Sequence, residues 1–290
     1  MTTDRRSRLR SWLLWLAVAG GGYATILLVM VFLEESLIYF PSRYPDGFWD
    51  TSVLASGSGC EIEDCYFTTD DGVRLHGWWC RPRSTDATAG IVLLWFHGNA
   101  GNLSHRAAMM VRLARLPVQV LIVDYRGYGR SEGHPTEEGL YRDAAAAWRF
   151  LTEERAVEPG RVILFGKSLG GAVAVDLARR VQPAGLIVQS SFTSARDMAA
   201  HHFPLVPRAL VRTRLDSLAK IAGVTCPKLF VHSPADEVVP FELGRKLFAA
   251  AAEPKRFYEV AGALHNETDL AGGEPYYQAV REFVASCGER

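Results

Sequence analysis

The chain has 290 residues, and 48% of them are hydrophobic, enough to bury a large core and too many for a disordered chain. Lys plus Arg and Asp plus Glu each number 32, so the formal net charge is zero and no global field draws the molecule toward nucleic acid. These numbers leave the oligomeric state open.

Positive charge is nevertheless uneven. Arg5, Arg6, Arg8 and Arg10 crowd the N-terminus, and residues 12–32 that follow carry no charged side chain. As a helix that run spans about 30 Å, the thickness of a bilayer core. Trp12 and Trp15 stand where amphipathic rings favour the headgroup level, and Glu34 and Glu35 follow the run. The expectation is a single membrane-spanning helix with its N-terminus in the cytoplasm and the remaining chain on the opposite, periplasmic or extracytoplasmic side. A cleaved signal at Ala17-Val18-Ala19 is the main alternative, but the apolar stretch before it is short and the run continues past it. Gly20-Gly21-Gly22 weakens helix propensity in water and is tolerated in lipid.

Residues 1–35 are read as the anchor, 36–60 as a linker rich in Pro, Gly and Ser, and 61–290 as the catalytic domain. Two β-type runs at 65–68 and 75–80 flank Asp70-Asp71-Gly72, a hairpin signal. Short apolar runs follow at 91–96, 118–123, 162–165, 186–188, 229–231 and 257–260, alternating with helix-period segments at 104–116, 137–154, 169–181, 242–252 and 274–286. The alternation predicts an α/β fold, with a mostly parallel central sheet of about eight strands and helices on both faces. The five cysteines, Cys60, Cys65, Cys80, Cys226 and Cys287, fit no zinc spacing. Cys60 and Cys65 could pair across a short loop in an oxidising compartment, and free or buried thiols are the plainer reading. No metal and no cofactor is expected.

Ligands of such sheets bind beyond the carboxyl ends of the strands, which directs attention to the polar residues there. Gly166-Lys167-Ser168-Leu169-Gly170 matches G-x-S-x-G between a predicted strand and a predicted helix, the context of a nucleophile elbow. A serine hydroxyl needs a base, and the base an orienting carboxylate. Asp236 leaves the end of the 229–231 strand, with Glu237 beside it as the rival, and His265 follows the last strand. The expected triad is Ser168, Asp236 and His265. His97-Gly98-Asn99 follows the first central strand, and a tight turn there can aim the Asn99 N–H at an oxyanion, with the Leu169 N–H as second donor. The run Asp124-Tyr125-Arg126-Gly127-Tyr128-Gly129 is read as a turn held by a buried Asp–Arg contact, with a pocket wall as the alternative. A short lid at about 192–225 leaves an open pocket with a small apolar rim, suited to short or moderate acyl groups or to a chain presented from the membrane. His97, Phe192, His201, His202 and Phe203 are its pocket and lid candidates.

Together these motifs resemble the α/β-hydrolase superfamily. Tyr39-Phe40-Pro41-Ser42 after the apolar run is similar to the membrane-anchored, bud-emergence-like branch of serine hydrolases. The resemblance implies a metal-free mechanism on an ester or thioester, in which Ser168 is acylated and then deacylated by water with His265 as base. The expected partner is a small-molecule or acylated substrate, plus the membrane and no nucleic acid. An amidase or peptidase on the same triad, or a silent membrane-tethered binding protein, are the alternatives.

Overall fold

The computed structural model describes residues 2–56, 58–83 and 90–288, with side chains from residue 10 onward. The chain opens with α1 (Thr2–Phe32), which is long and apolar enough to cross a membrane and none of whose apolar window is buried by the rest of the chain. Short helices α2 (Glu34–Ile38) and α3 (Thr51–Ala55) lead into the sheet. Its strands are β1 (Cys60–Thr68), β2 (Arg74–Pro82), β3 (Val92–Phe96), β4 (Gln119–Asp124), β5 (Val162–Lys167), β6 (Gly185–Gln189), β7 (Lys228–His232) and β8 (Lys255–Glu259). The intervening helices are α4 (Ala107–Leu113), α5 (Glu137–Arg149), α6 (Leu169–Arg180), α7 (Ala195–His202), α8 (Leu218–Ile221), α9 (Phe241–Ala250) and α10 (Thr268–Gly288), the last broken at Gly273.

The eight strands lie in the order β1-β2-β4-β3-β5-β6-β7-β8, and only β2 runs against the others. The expected hairpin is present: Gly72, at φ 83°, turns β1 into β2. Strand alternation divides the core into two. Val92, Leu94 and Phe96 face one cluster, with α5, α6 and α9. Leu93 and Trp95 face the other, with α4 and α10. Both faces of the sheet are therefore covered, which is why the central strands read as unbroken apolar runs.

One sequence expectation needs correction. Asp124 does not pair with Arg126. Asp124 is fully buried beside His97 (Nε2 3.2 Å) and accepts from the Leu103 N–H (2.8 Å), while Arg126 bonds to Asp143 (2.8 Å) and clasps Asp71 with two nitrogens (2.9 and 3.0 Å). The alternative of a Cys60–Cys65 pair is not formed: Cys60 meets Cys80, with sulfurs 2.9 Å apart, and no disulfide joins the described cysteines, as the plainer reading had it.

The 36–60 segment is packed onto the domain. Phe40–Pro41 forms a two-residue parallel ladder with Ala100–Gly101. The Phe40 N–H donates to the Asn99 carbonyl (3.1 Å), the Ser42 N–H donates to the Gly101 carbonyl (3.1 Å), and the Asn99 side chain donates to the Ile38 carbonyl (3.0 Å). Glu34, which is buried, fastens the end of α1 to the lid: its carboxylate accepts from the N–H groups of Arg212 (3.2 Å) and Thr213 (2.6 Å) and from the Arg212 guanidinium (3.1 Å). Burial pushes this carboxyl up, and the bonds from Thr213 and Arg212 outweigh it and leave it below its ordinary range.

Candidate active site

The turn from β5 into α6 holds Ser168 at φ 54°, ψ −118°, a left-handed conformation that a non-glycine residue adopts only under constraint. The constraints are visible. The Ser168 N–H donates to the Gln189 carbonyl (2.8 Å), and the Ser168 carbonyl accepts from the Gly171 N–H (2.9 Å) and the Ser191 hydroxyl (2.8 Å). The flanking glycines are steric necessities. A Cβ on Gly166 would stand 2.3 Å from the Gly170 carbonyl oxygen, and one on Gly170 would stand 2.0 Å from the Phe96 carbonyl oxygen.

Asp236 and His265 arrive from the loops after β7 and β8 and meet directly: the ring Nδ1 lies 2.8 Å from one carboxylate oxygen and 3.0 Å from the other. Asp236 also accepts from the N–H groups of Val238 (3.0 Å) and Val239 (2.8 Å), and His232 stands 3.3 Å away. Burial works to raise the Asp236 carboxyl, but His232, His265 and the Val239 N–H prevail and hold it well below the carboxylate range. Glu237 has a different place from the one its rivalry with Asp236 implied. It accepts from the backbone N–H of His265 (2.8 Å) and so fixes the main chain beneath the imidazole.

Ser168 and His265 line one cavity of about 370 Å³, but among the described residues no hydrogen bond joins the hydroxyl to the ring. Hydrogen bonds of this kind are often long before a substrate is bound. At the expected donors, neither the Asn99 N–H nor the Leu169 N–H has an acceptor among the described residues, and both residues border a cavity together with Ser168. The carbonyls of the Asn99 turn are pinned from behind by the Tyr125 hydroxyl on His97 (2.8 Å) and the Tyr128 hydroxyl on Asn99 (2.7 Å).

Two cavities meet at Ser168, Asn99 and Val238. The first, about 450 Å³, is apolar. Of the lid candidates, Phe192, His202 and Phe203 line it. His201 is exposed and lines neither cavity, and His97 is fully buried beneath its turn and lines neither. The lining also includes Leu27, Met30 and Val31 of α1 and Leu37 and Ile38 of α2. The rim is larger than the small lid alone would give, because the segments read as anchor and linker add to its walls. The second cavity, about 370 Å³, is the more polar and holds Arg106, Lys167, His265 and Asn266. Reasoning from the sequence passed over Lys167. The signal was there, since Lys167 continues the period-two face of Ile163 and Phe165 and so points into the protein.

Comparison with known proteins agrees with the fold. Residues 87–220 match the family model described as serine aminopeptidase, S33. The chain is similar to the α/β hydrolase domain-containing protein WAV2 of Arabidopsis thaliana, 31% identical with 91% of this chain and 92% of the relative covered. It is 32% identical to the protein bem46 of Schizosaccharomyces pombe, over 90% of each chain. Among solved structures it is similar to an esterase of Pyrococcus furiosus, with a TM-score of 0.70 at 20% identity over 86% of this chain and 97% of the esterase.

Proposed function

This chain belongs to the bem46-like branch of the α/β-hydrolase superfamily, and on that footing we propose that it is a membrane-anchored serine hydrolase that cleaves acyl esters or thioesters through Ser168, His265 and Asp236. The observation that carries the reading is the pairing of Asp236 with His265 at the mouth of a cavity shared with a serine on a strained turn. In the proposed reaction Ser168 Oγ attacks the acyl carbonyl and its proton passes to His265 Nε2. Asp236, held as a carboxylate, fixes the ring and stabilises the imidazolium. The tetrahedral oxyanion takes its hydrogen bonds from the N–H groups of Asn99 and Leu169. The intermediate collapses, and the departing alcohol or thiol leaves with the proton from His265. Water then attacks the acyl-serine, His265 takes its proton and returns it to Ser168, and the carboxylic acid departs.

The apolar cavity favours an acyl group as the held part of the substrate. Its walls at Leu27, Met30 and Val31 belong to the last turns of the apolar helix, and the Tyr23 hydroxyl, about one to two turns deeper, donates to the Leu205 carbonyl at the lid tip. Phe203 and Leu205 are exposed there beside the equally exposed apolar side chains of α1. With α1 in a bilayer, the cavity opens at hydrocarbon depth and an acyl chain enters from lipid. The arginines before α1 favour a cytoplasmic N-terminus and a hydrolase domain on the opposite side.

A fluorophosphonate probe tests the assignment. Labelling of the full-length protein in detergent, lost in Ser168→Ala, is the expected result; no labelling of folded protein would support a silent binding protein instead. Faster turnover of an anilide than of the matched ester would favour the amidase alternative, to which the description of the matching family model points.

A further inference from the structure

The cavity on the far side of Ser168 contains two cations, Lys167 and Arg106, that form no ion pair with a carboxylate among the described residues. Lys167 is buried, and among the described residues no acceptor or ion-pair partner meets its ammonium. Arg106 is half-buried, and its one side-chain hydrogen bond among the described residues runs from Nη2 to the Ala100 carbonyl (2.6 Å). Three carboxylates act on these cations through charge alone, Asp269 and Asp236 on Lys167 and Asp124 on Arg106, and each has its hydrogen-bond partners elsewhere. Asp236 serves His265 and two backbone N–H groups, and Asp269 takes Arg112 (2.6 Å) and the Tyr277 hydroxyl (3.1 Å). Burial, then the charge of Arg106, lowers the Lys167 ammonium to about 8 against the opposing pull of Asp269 and Asp236. Burying a cation without a counter-charge is expensive, and a second cation beside it adds repulsion. An arrangement so unfavourable in the empty protein becomes favourable once an anion fills it.

The placement identifies which part of a substrate the anion belongs to. With the acyl chain in the apolar cavity and the carbonyl at Ser168, the cavity that holds His265 takes the departing group, because His265 must deliver a proton to it. We propose that Lys167 and Arg106 recognise a negative charge, phosphate or carboxylate, on the leaving group, so that the preferred substrate is an anionic amphiphile. This inference rests on the serine-hydrolase reading above. Hydrolysis then releases an anionic alcohol or thiol, and a reaction that acylates such a compound must supply the substrate.

The full-length protein in neutral detergent micelles is given decanoyl esters of glycerol, of glycerol 3-phosphate and of 3-hydroxybutyrate. The expected kcat/KM is about tenfold or more higher for an anionic ester than for the glycerol ester, the size of effect a partly desolvated charge pair gives. Phosphate and carboxylate arms tell the two anions apart, and a preference for either supports the proposal. Lys167→Met should lower the anionic-to-neutral ratio about tenfold, Arg106→Gln several-fold, and Lys167→Arg should retain most of it. If Lys167→Met does not fold, the wild type still decides: glycerol 3-phosphate should inhibit p-nitrophenyl decanoate hydrolysis competitively, and glycerol should not. Equal or lower kcat/KM for both anionic esters, with p-nitrophenyl decanoate turned over normally, would overturn the proposal and leave the hydrolase standing. A preference that survives both substitutions would also overturn it. Absence of probe labelling and of all turnover strikes instead at the hydrolase reading, and this inference falls with it.

Discussion

The two cavities that meet at Ser168 are of similar size, about 450 and 370 Å³, and the second is the more polar, with charged side chains in its wall. One is walled by Leu27, Met30, Phe192, Met198 and Phe203, and draws its lining from five stretches of the chain, within 27–38, 99, 168–169, 192–215 and 238. The other is built from the turns after β3, β5 and β8 and carries Arg106, Lys167 and His265. The strand-end turns of the sheet supply the polar side, as they do for ligands of this architecture in general. The apolar side is supplied by parts added to the sheet: the lid, α1 and α2. On the proposed reading, the core of the domain supplies the chemistry and its additions the choice of acyl chain.

The largest expected effect tests the point the two cavities share. Asp236→Asn removes the carboxylate that orients His265 and should lower kcat on every ester by about two to four orders of magnitude, with the folded state intact by circular dichroism. Esters of all chain lengths should suffer alike. A loss confined to long chains would place Asp236 with the apolar cavity and break the comparison.

Filling the apolar side should do what the first change does not. Ala199→Trp places a large ring in that cavity, and the ratio of kcat/KM for decanoyl over acetyl esters should fall by roughly ten- to a hundredfold, the scale of a few buried methylenes. An unchanged ratio would show that the chain lies elsewhere.

Glu34→Gln acts on the same side through its wall. It leaves the shape and removes the charge that three donors from Arg212 and Thr213 share, and a stability loss of about 1–3 kcal/mol is expected by chemical denaturation in detergent. The sign with pH follows from the lowered carboxyl. The stabilisation is present above the ordinary Glu range and fades as pH falls through the lower folded value, so wild type and Glu34→Gln should converge in acid.

The smallest effect belongs to the polar side. The Lys167 ammonium titrates at about 8, so the preference for an anionic over a neutral ester should decline as pH rises through that value, by a few-fold, as the charge is lost. Arg106 stays charged throughout, which keeps the decline partial. A preference flat from pH 7 to 10 would remove Lys167 from this role.

The sheet and the catalytic candidates were legible because each is a local signal. Continuous Val, Ile and Leu runs mark doubly covered strands, and G-x-S-x-G, Asp236 and His265 each follow such a run. What could not be read depends on pairings with no local trace. Glu34 finds Thr213 across 179 positions of sequence, and no periodicity in either segment announces the other. The same holds for Arg126, whose true partners Asp71 and Asp143 lie 55 and 17 residues away, whereas Asp124 is close in sequence and bonds elsewhere. Chain proximity was a poor guide to charge pairing, because the strand ends at Asp124 and the turn that follows carries Arg126 away toward Asp71 and Asp143.

The stitching of residues 38–42 onto the Asn99 turn bears on mechanics as well as on architecture. Tension on the chain between the apolar helix and the domain would be delivered to the backbone that carries the Asn99 N–H, one residue from Gly98 and against the serine. A truncated version beginning after residue 42 would shed those tethers and leave the turn without its outer partner. Secretable versions are therefore best cut within or before α1, so that Glu34 and the Phe40–Pro41 pairing travel with the enzyme.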